Sequence, residues 1–187
     1  TPEFEEPSVR ESMAFGEDIR TWNEHQSPYQ RVAEVIKDRG LKKGVIGVED
    51  TVRYFVVNGI KEQMNNFSIA SASAITQGCR MYKSEHEIAL IRKANEVTLA
   101  AYDHVYRNLS AGMTSDEVVN MMYAAQSSLG GSDIWNMALC GSASAYPHGS
   151  KQPQIVGKGG VVLMDCGCSV QGYQSDISRT FVYGEPS

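Results

Sequence analysis

The sequence has no apolar run near the roughly 18 residues that a membrane-spanning helix needs, so no such helix is expected. It has no basic excess either. Lys and Arg number 17 against 22 Asp and Glu, for a formal net charge of −5. A nucleic-acid surface wants a basic face, so that class of partner is disfavoured. Cysteine is sparse, at four in 187 residues. Disulfide scaffolds are far denser, and a reducing, cytoplasmic setting is the expectation. The first residues, Thr1-Pro2-Glu3-Phe4-Glu5-Glu6-Pro7, lack the basic and apolar regions of a signal peptide. Without an initiator Met, a processed or internal start is expected. There is no internal repeat and no low-complexity tract. Gly157-Lys158-Gly159-Gly160 imitates a phosphate loop but precedes a strand, so no helix N-terminus is there to receive an anion.

What is present is ordinary for a globular chain: 42% hydrophobic and 21% charged residues, enough for one domain or one domain and part of another. Ser27-Pro28 opens a helix that Gly40 stops. Val45–Glu49 reads as a buried strand. Thr51 to Met64 reads as a helix with Val52, Phe55, Val56 and Ile60 on one side. Phe67 to Thr76 reads as strand. Ser84 and Glu87 form a capping-box pattern before a long helix, whose stripe is Ile88, Ile91, Ala94, Val97, Leu99, Ala101, Val105 and Leu109. Thr114 and Glu117 repeat the pattern before a third helix that ends at Gly130-Gly131. From Asp133 onward the chain is β-rich, with Trp135–Cys140 as one strand and Gly141–Ser150 as a loop of small residues. His25, His86 and His104 have no partner at ligand spacing and read as ordinary surface or helix residues.

The most informative segment is Met164-Asp165-Cys166-Gly167-Cys168-Ser169-Val170-Gln171-Gly172-Tyr173-Gln174-Ser175-Asp176-Ile177-Ser178-Arg179-Thr180. Apolar runs enter and leave it, and Gln171-Gly172 marks a tight turn, so it reads as a β-hairpin. With the turn centred on Val170-Gln171, Asp165 is expected opposite Asp176. Directly opposed carboxylates, with Cβ atoms about 4.5–5.5 Å apart, repel unless a cation lies between them. A divalent metal is the simplest candidate, and two metals bridged by one carboxylate the more specific one. Strand alternation sends Cys166 and Cys168 to the opposite face, where small buried side chains are expected. A zinc or redox module built on Cys166 and Cys168 stands as the alternative from a different class.

The hairpin resembles the metal-binding hairpin of the Xaa-Pro dipeptidase (prolidase) and aminopeptidase P family, relatives of methionine aminopeptidase with the pita-bread fold. Tyr146-Pro147-His148-Gly149 matches the family's upstream Pro-His-Gly element. Lys83-Ser84-Glu85-His86-Glu87-Ile88 and Ile91-Arg92-Lys93-Ala94 match the opening of its catalytic domain. The likeness is specific from Arg80 onward and looser before it. It implies an α/β (α+β) architecture. Residues 1–80 would be the C-terminal part of a small creatinase-like N-terminal α/β domain, and residues 81–187 the N-terminal half of a pita-bread domain.

Carried over, Asp165 would ligate one metal and Asp176 would bridge two. His148 would contact substrate and handle protons. The implied reaction is metal-assisted hydrolysis of the Xaa-Pro bond in dipeptides or short peptides. Mn²⁺ is the first choice, with Co²⁺ or Zn²⁺ as substitutes. Family members complete the site with one His and two Glu from later in the chain. Here only eleven residues follow Asp176, with Glu185 the sole candidate. The expectation is therefore a partial site, inactive alone, with a C-terminal chain or fragment of the same enzyme as partner and a homodimer of the full enzyme. An inactive fragment or a non-catalytic pita-bread binding protein is the alternative. The creatine-hydrolysing branch works without metal, so the aspartate pair speaks against it.

Overall fold

Ser27 accepts the Gln30 N–H at 3.3 Å and Pro28 follows it, so the helix they open starts where its first orphan donor is capped. It is one of six α-helices among the described residues of the mixed α/β chain. The computed structural model describes residues 1–187 apart from Pro147, Lys151 and Ser187. The chain divides into two units, Thr1–Tyr82 and Lys83–Ser187.

The first unit runs α1 (Glu6–Ser12), α2 (Pro28–Asp38), β1 (Gly44–Val48), α3 (Tyr54–Gln63), β2 (Phe67–Ser71) and α4 (Ser73–Met81). β1 and β2 pair in parallel, Gly44 against Phe67 through Val48 against Ser71, with α3 as the crossover that parallel strands require. Gly59 is needed on α3, because a Cβ there would meet the Tyr29 ring at 2.4 Å. Three expectations are corrected. The first strand is Gly44–Val48 and is not buried, since Val45 is 66% exposed and none of its residues is buried. The strand beginning at Phe67 ends at Ser71, and Thr76 lies in α4. The Ser71 hydroxyl donates to Asp50 at 2.7 Å and accepts the Ser73 N–H at 3.2 Å, which turns the chain into a helix. α3 begins at Tyr54 and not Thr51, and Val52 and Phe55 are exposed.

The second unit begins with α5 (Glu85–Asn108) and α6 (Ser115–Ser128). Both open with complete capping boxes, Ser84 with Glu87 and Thr114 with Glu117. A four-stranded antiparallel sheet follows: β3 (Ser132–Cys140), β4 (Val161–Val170), β5 (Tyr173–Gln174) and β6 (Ile177–Val182). β4 is central, with β3 on one side and the returning β5 and β6 on the other. A short 3₁₀ turn, Gly141–Ala145, follows β3.

One sheet face lies on α5 and α6. Ala101, Val105, Val118, Met122, Val162, Met164 and Cys166 form its core, each fully buried. Burial of a Val or Met side chain stabilises by about 1.5–3 kcal/mol. The stripe expected on α5 needs correction at two residues, and the first is Ile88, which is 38% exposed in the first turn. Leu99 is 44% exposed, and the polar Thr98 is the buried residue.

Candidate functional site

The hairpin turn sets the geometry of the site. Gln171 and Gly172 have φ of 49° and 82°, so both central residues are left-handed, as a two-residue type I′ turn requires. Val170 therefore pairs with Tyr173 and Ser169 with Gln174. Further along, Cys166 pairs with Ile177 and Asp165 with Ser178. This corrects the expected register by two residues, because the turn is centred on Gln171-Gly172. Asp165 faces Ser178, and Asp176 is its diagonal neighbour.

A shift of two preserves strand parity. Asp165 and Asp176 still share one face, at the diagonal separation of about 7–8 Å and not that of direct opposition. Asp165 is half-buried, and its Oδ1 accepts the Ser178 hydroxyl at 2.5 Å. Asp176 is exposed. Among the described residues it has no hydrogen-bond or ion-pair partner. Two carboxylates on one face, with no paired cation among the described residues, form a hard, anionic oxygen surface, which suits a divalent ion. Among the described residues, no three His, Cys, Asp or Glu side chains stand together where a metal could be held. The pair fits a metal as part of a ligand set. Glu185 is exposed beyond the end of β6 and does not complete the set.

The strand neighbours shape the same face. Trp135 pairs with Gly167 and Met137 with Asp165. Gly167 has no room for a side chain, since a Cβ there would lie 2.2 Å from the Ser175 carbonyl oxygen and 2.5 Å from Trp135 Nε1. His148 is exposed and Pro147 lies outside the described residues. Gly149, beside His148, has φ of 90° and lies near the Met137 sulfur, 3.7 Å from where its Cβ would be. The loop carrying His148 therefore passes the side chain that lies across the strands from Asp165. Gln154 braces that loop, accepting the Cys140 N–H at 2.9 Å and donating to the Ser150 carbonyl at 3.3 Å.

The opposite face holds the cysteines, as strand parity requires. Cys166 and Cys168 are buried, and Cys140 with them, all as free thiols. Burial pushes the Cys166 thiol up to about 11. A thiol that stays protonated is a poor metal ligand and a poor nucleophile. Burial likewise raises Tyr102 far above its ordinary value, so its hydroxyl remains a neutral donor, to Met164 O at 3.0 Å or Ile177 O at 2.7 Å. The alternative built on Cys166 and Cys168 has no support in this geometry. Ser178, Ser175, Thr98 and Tyr102 were not anticipated. Only Ser178 carried a readable signal, since it shares the strand parity of Asp165 and Asp176.

Residues 89–187 match the model of metallopeptidase family M24, and residues 1–82 match the creatinase/prolidase N-terminal domain. The chain belongs to metallopeptidase family M24. Membership implies divalent metal ions, consistent with the carboxylate face. An uncharacterized peptidase of Schizosaccharomyces pombe is 32% identical over 186 residues, spanning 96% of this chain and 39% of that protein. An Xaa-Pro dipeptidase of Pyrococcus furiosus is 26% identical over 161 residues, 85% of this chain and 45% of that protein. The solved prolidase of Thermococcus sibiricus superposes with a TM-score of 0.84 at 27% identity, covering all of this chain and 51% of that one. The fold is thus part of the pita-bread architecture, and the chain spans about half the length, or less, of these relatives.

Proposed function

We propose that this M24 chain serves metal-dependent hydrolysis of the Xaa-Pro bond in dipeptides or short peptides, supplying part of a dinuclear site. The observation that carries the reading is the pair of carboxylates, Asp165 and Asp176, on one face of a hairpin whose other face is sealed in a core. Residues 1–80 are the remaining part of a creatinase-like domain, and residues 81–187 are the first half of the catalytic domain. A C-terminal chain or fragment of the same enzyme supplies the remaining ligands, and the full enzyme is a cytoplasmic homodimer.

In this reading Asp165 and Asp176 would both hold divalent metal, with Mn²⁺ the preferred ion. A divalent metal supplies Lewis acidity to a peptide carbonyl and lowers the pKa of water. The chain's own residues do the rest. Ser178 donates to Asp165 Oδ1 and fixes the direction of that carboxylate. His148, in an exposed loop braced by Gln154, contacts the substrate and moves a proton. Trp135 and Met137 give the same face an apolar border.

The test is hydrolysis of an Xaa-Pro dipeptide with Mn²⁺, combined with intact mass of the active sample under denaturing conditions. Activity is expected only where residues beyond this chain supply the remaining ligands. Activity from the 20.5 kDa species alone would overturn the two-piece site. Failure to cleave Xaa-Pro bonds when a C-terminal half is present would overturn the substrate.

A further inference from the structure

The return strand is interrupted at one place. β5 ends at Gln174 and β6 begins at Ile177, yet the register is the same on both sides of the gap, Ser169 with Gln174 and Cys166 with Ile177. A bulge would have shifted it. In the alternating antiparallel pattern, Cys168 and Ser175 form the pair that should exchange two backbone bonds. One is made, from Ser175 N–H to Cys168 O at 2.9 Å. The other goes to a side chain: the Cys168 N–H donates to Ser175 Oγ at 3.1 Å. The Ser175 carbonyl instead lies over Gly167, beside Trp135. Its own hydroxyl has taken its place in the ladder, and the next residue is Asp176.

Ser175 is 1% exposed, and its Oγ is 2.7 Å from Thr98 Oγ1. Gln126 Nε2 donates to Thr98 Oγ1 at 3.3 Å, and Ser175 Oγ donates to Cys168 O at 3.2 Å. One assignment of hydrogens links the four residues, Gln126 to Thr98, Thr98 to Ser175, Ser175 to Cys168 O, and Cys168 N–H back to Ser175, while among the described residues Gln126 Oε1 has no partner. The relay runs from α6 through α5 into the strand. α5 grips the return strand at two further points. Glu87 accepts the Tyr173 hydroxyl at 2.8 Å, and the Tyr102 hydroxyl reaches Ile177 O. The grips fall on residues 173, 175 and 177. Pleating then sends 174, 176 and 178 to the carboxylate face.

We infer that Ser175 is the positioning residue of Asp176: by replacing its own carbonyl in the ladder, and by tying to Thr98 and Gln126, it fixes where Asp176 stands relative to Asp165. The inference rests on the reading of Asp176 as a metal ligand. Removal of a partner that orients a ligand typically weakens metal binding about 10–100-fold.

The test titrates Mn²⁺ into the complete enzyme, this chain together with the C-terminal part that supplies the remaining ligands, and follows paramagnetic broadening of amide signals between residues 165 and 178. Scalar coupling across the hydrogen bond from the Cys168 amide is measured without metal. In the wild type no coupling to the Ser175 carbonyl carbon is expected; its presence would overturn the inference. Ser175→Ala should weaken Mn²⁺ binding about tenfold or more. Met122→Ala, a core variant away from the hairpin, should bind as wild type once folded. Should Ser175→Ala not fold, Thr98→Val carries the test: it should weaken binding while Thr98→Ser does not. Wild-type affinity in Ser175→Ala, or in Thr98→Val, would overturn the inference, as would a loss that merely tracks stability across all variants. Asp176→Asn separates the two ideas. If the wild type shows no broadening, or Asp176→Asn broadens like it, the ligand reading fails and takes this inference with it. If Asp176→Asn abolishes binding and Ser175→Ala does not, only the inference about Ser175 fails.

Discussion

The two faces of the β3–β4–β6 sheet are made from the same strands and have opposite characters. One face is closed: Val162, Met164, Cys166 and Ile177 lie on α5 and α6, and even its polar groups are mostly answered from within. The other carries Asp165, Asp176 and Ser178 beside Trp135 and Met137, with the carboxylates offset diagonally. A single period-2 alternation produces both. The closed face fixes the strands, so the open face can hold two like charges without collapsing. Stability and chemistry are thereby assigned to alternate residues of one hairpin.

That division can be broken from either side. The largest effect is expected from Asp176→Ala in the complete enzyme. Metal affinity should fall by more than the roughly 100-fold typical of an outer-shell partner, with little change in unfolding free energy, as read by calorimetric titration and denaturant melts. Met164→Ala should do the reverse. It should cost about 2–5 kcal/mol in a denaturant melt, since the side chain is fully buried, and leave metal affinity of the folded protein unchanged. Gly167→Ala should affect both faces. Its new methyl would drive the Ser175 carbonyl and Trp135 aside, at about 1–3 kcal/mol, with a measurable loss of metal affinity. Tyr102→Phe should cost about 1 kcal/mol by removing a buried donor to Ile177 O or Met164 O. The smallest effect is kinetic. Under native conditions an alkylating reagent should modify exposed Cys79 promptly, while buried Cys140, Cys166 and Cys168 wait for unfolding. Prompt labelling of Cys166 would show that the closed face is not closed.

Several elements were legible because their causes are local. Ser84 with Glu87 and Thr114 with Glu117 marked the two helix starts, since a capping box involves only four consecutive residues. The side of the sheet taken by Cys166 and Cys168 followed from alternation alone. The apolar run Phe67–Thr76 does not say where a strand gives way to a helix; the Ser71 hydroxyl, shared with Asp50, decides that. Thr98 carries no signal of its own inside an apolar stripe. Its partners, Ser175 and Gln126, are 77 and 28 residues away.

The sequence by itself determined that a hairpin forms near the C-terminus and that Asp165 and Asp176 share a face of it. It also sent the cysteines to the other face, because pleat parity depends only on counting along a strand. Tertiary structure decided that Asp176 stands diagonal to Asp165, which itself faces Ser178. That outcome depends on which two residues take positive φ at the turn, and on the grips of α5 at Tyr173, Ser175 and Ile177. Parity survives a slip of two residues; the distance between two carboxylates does not.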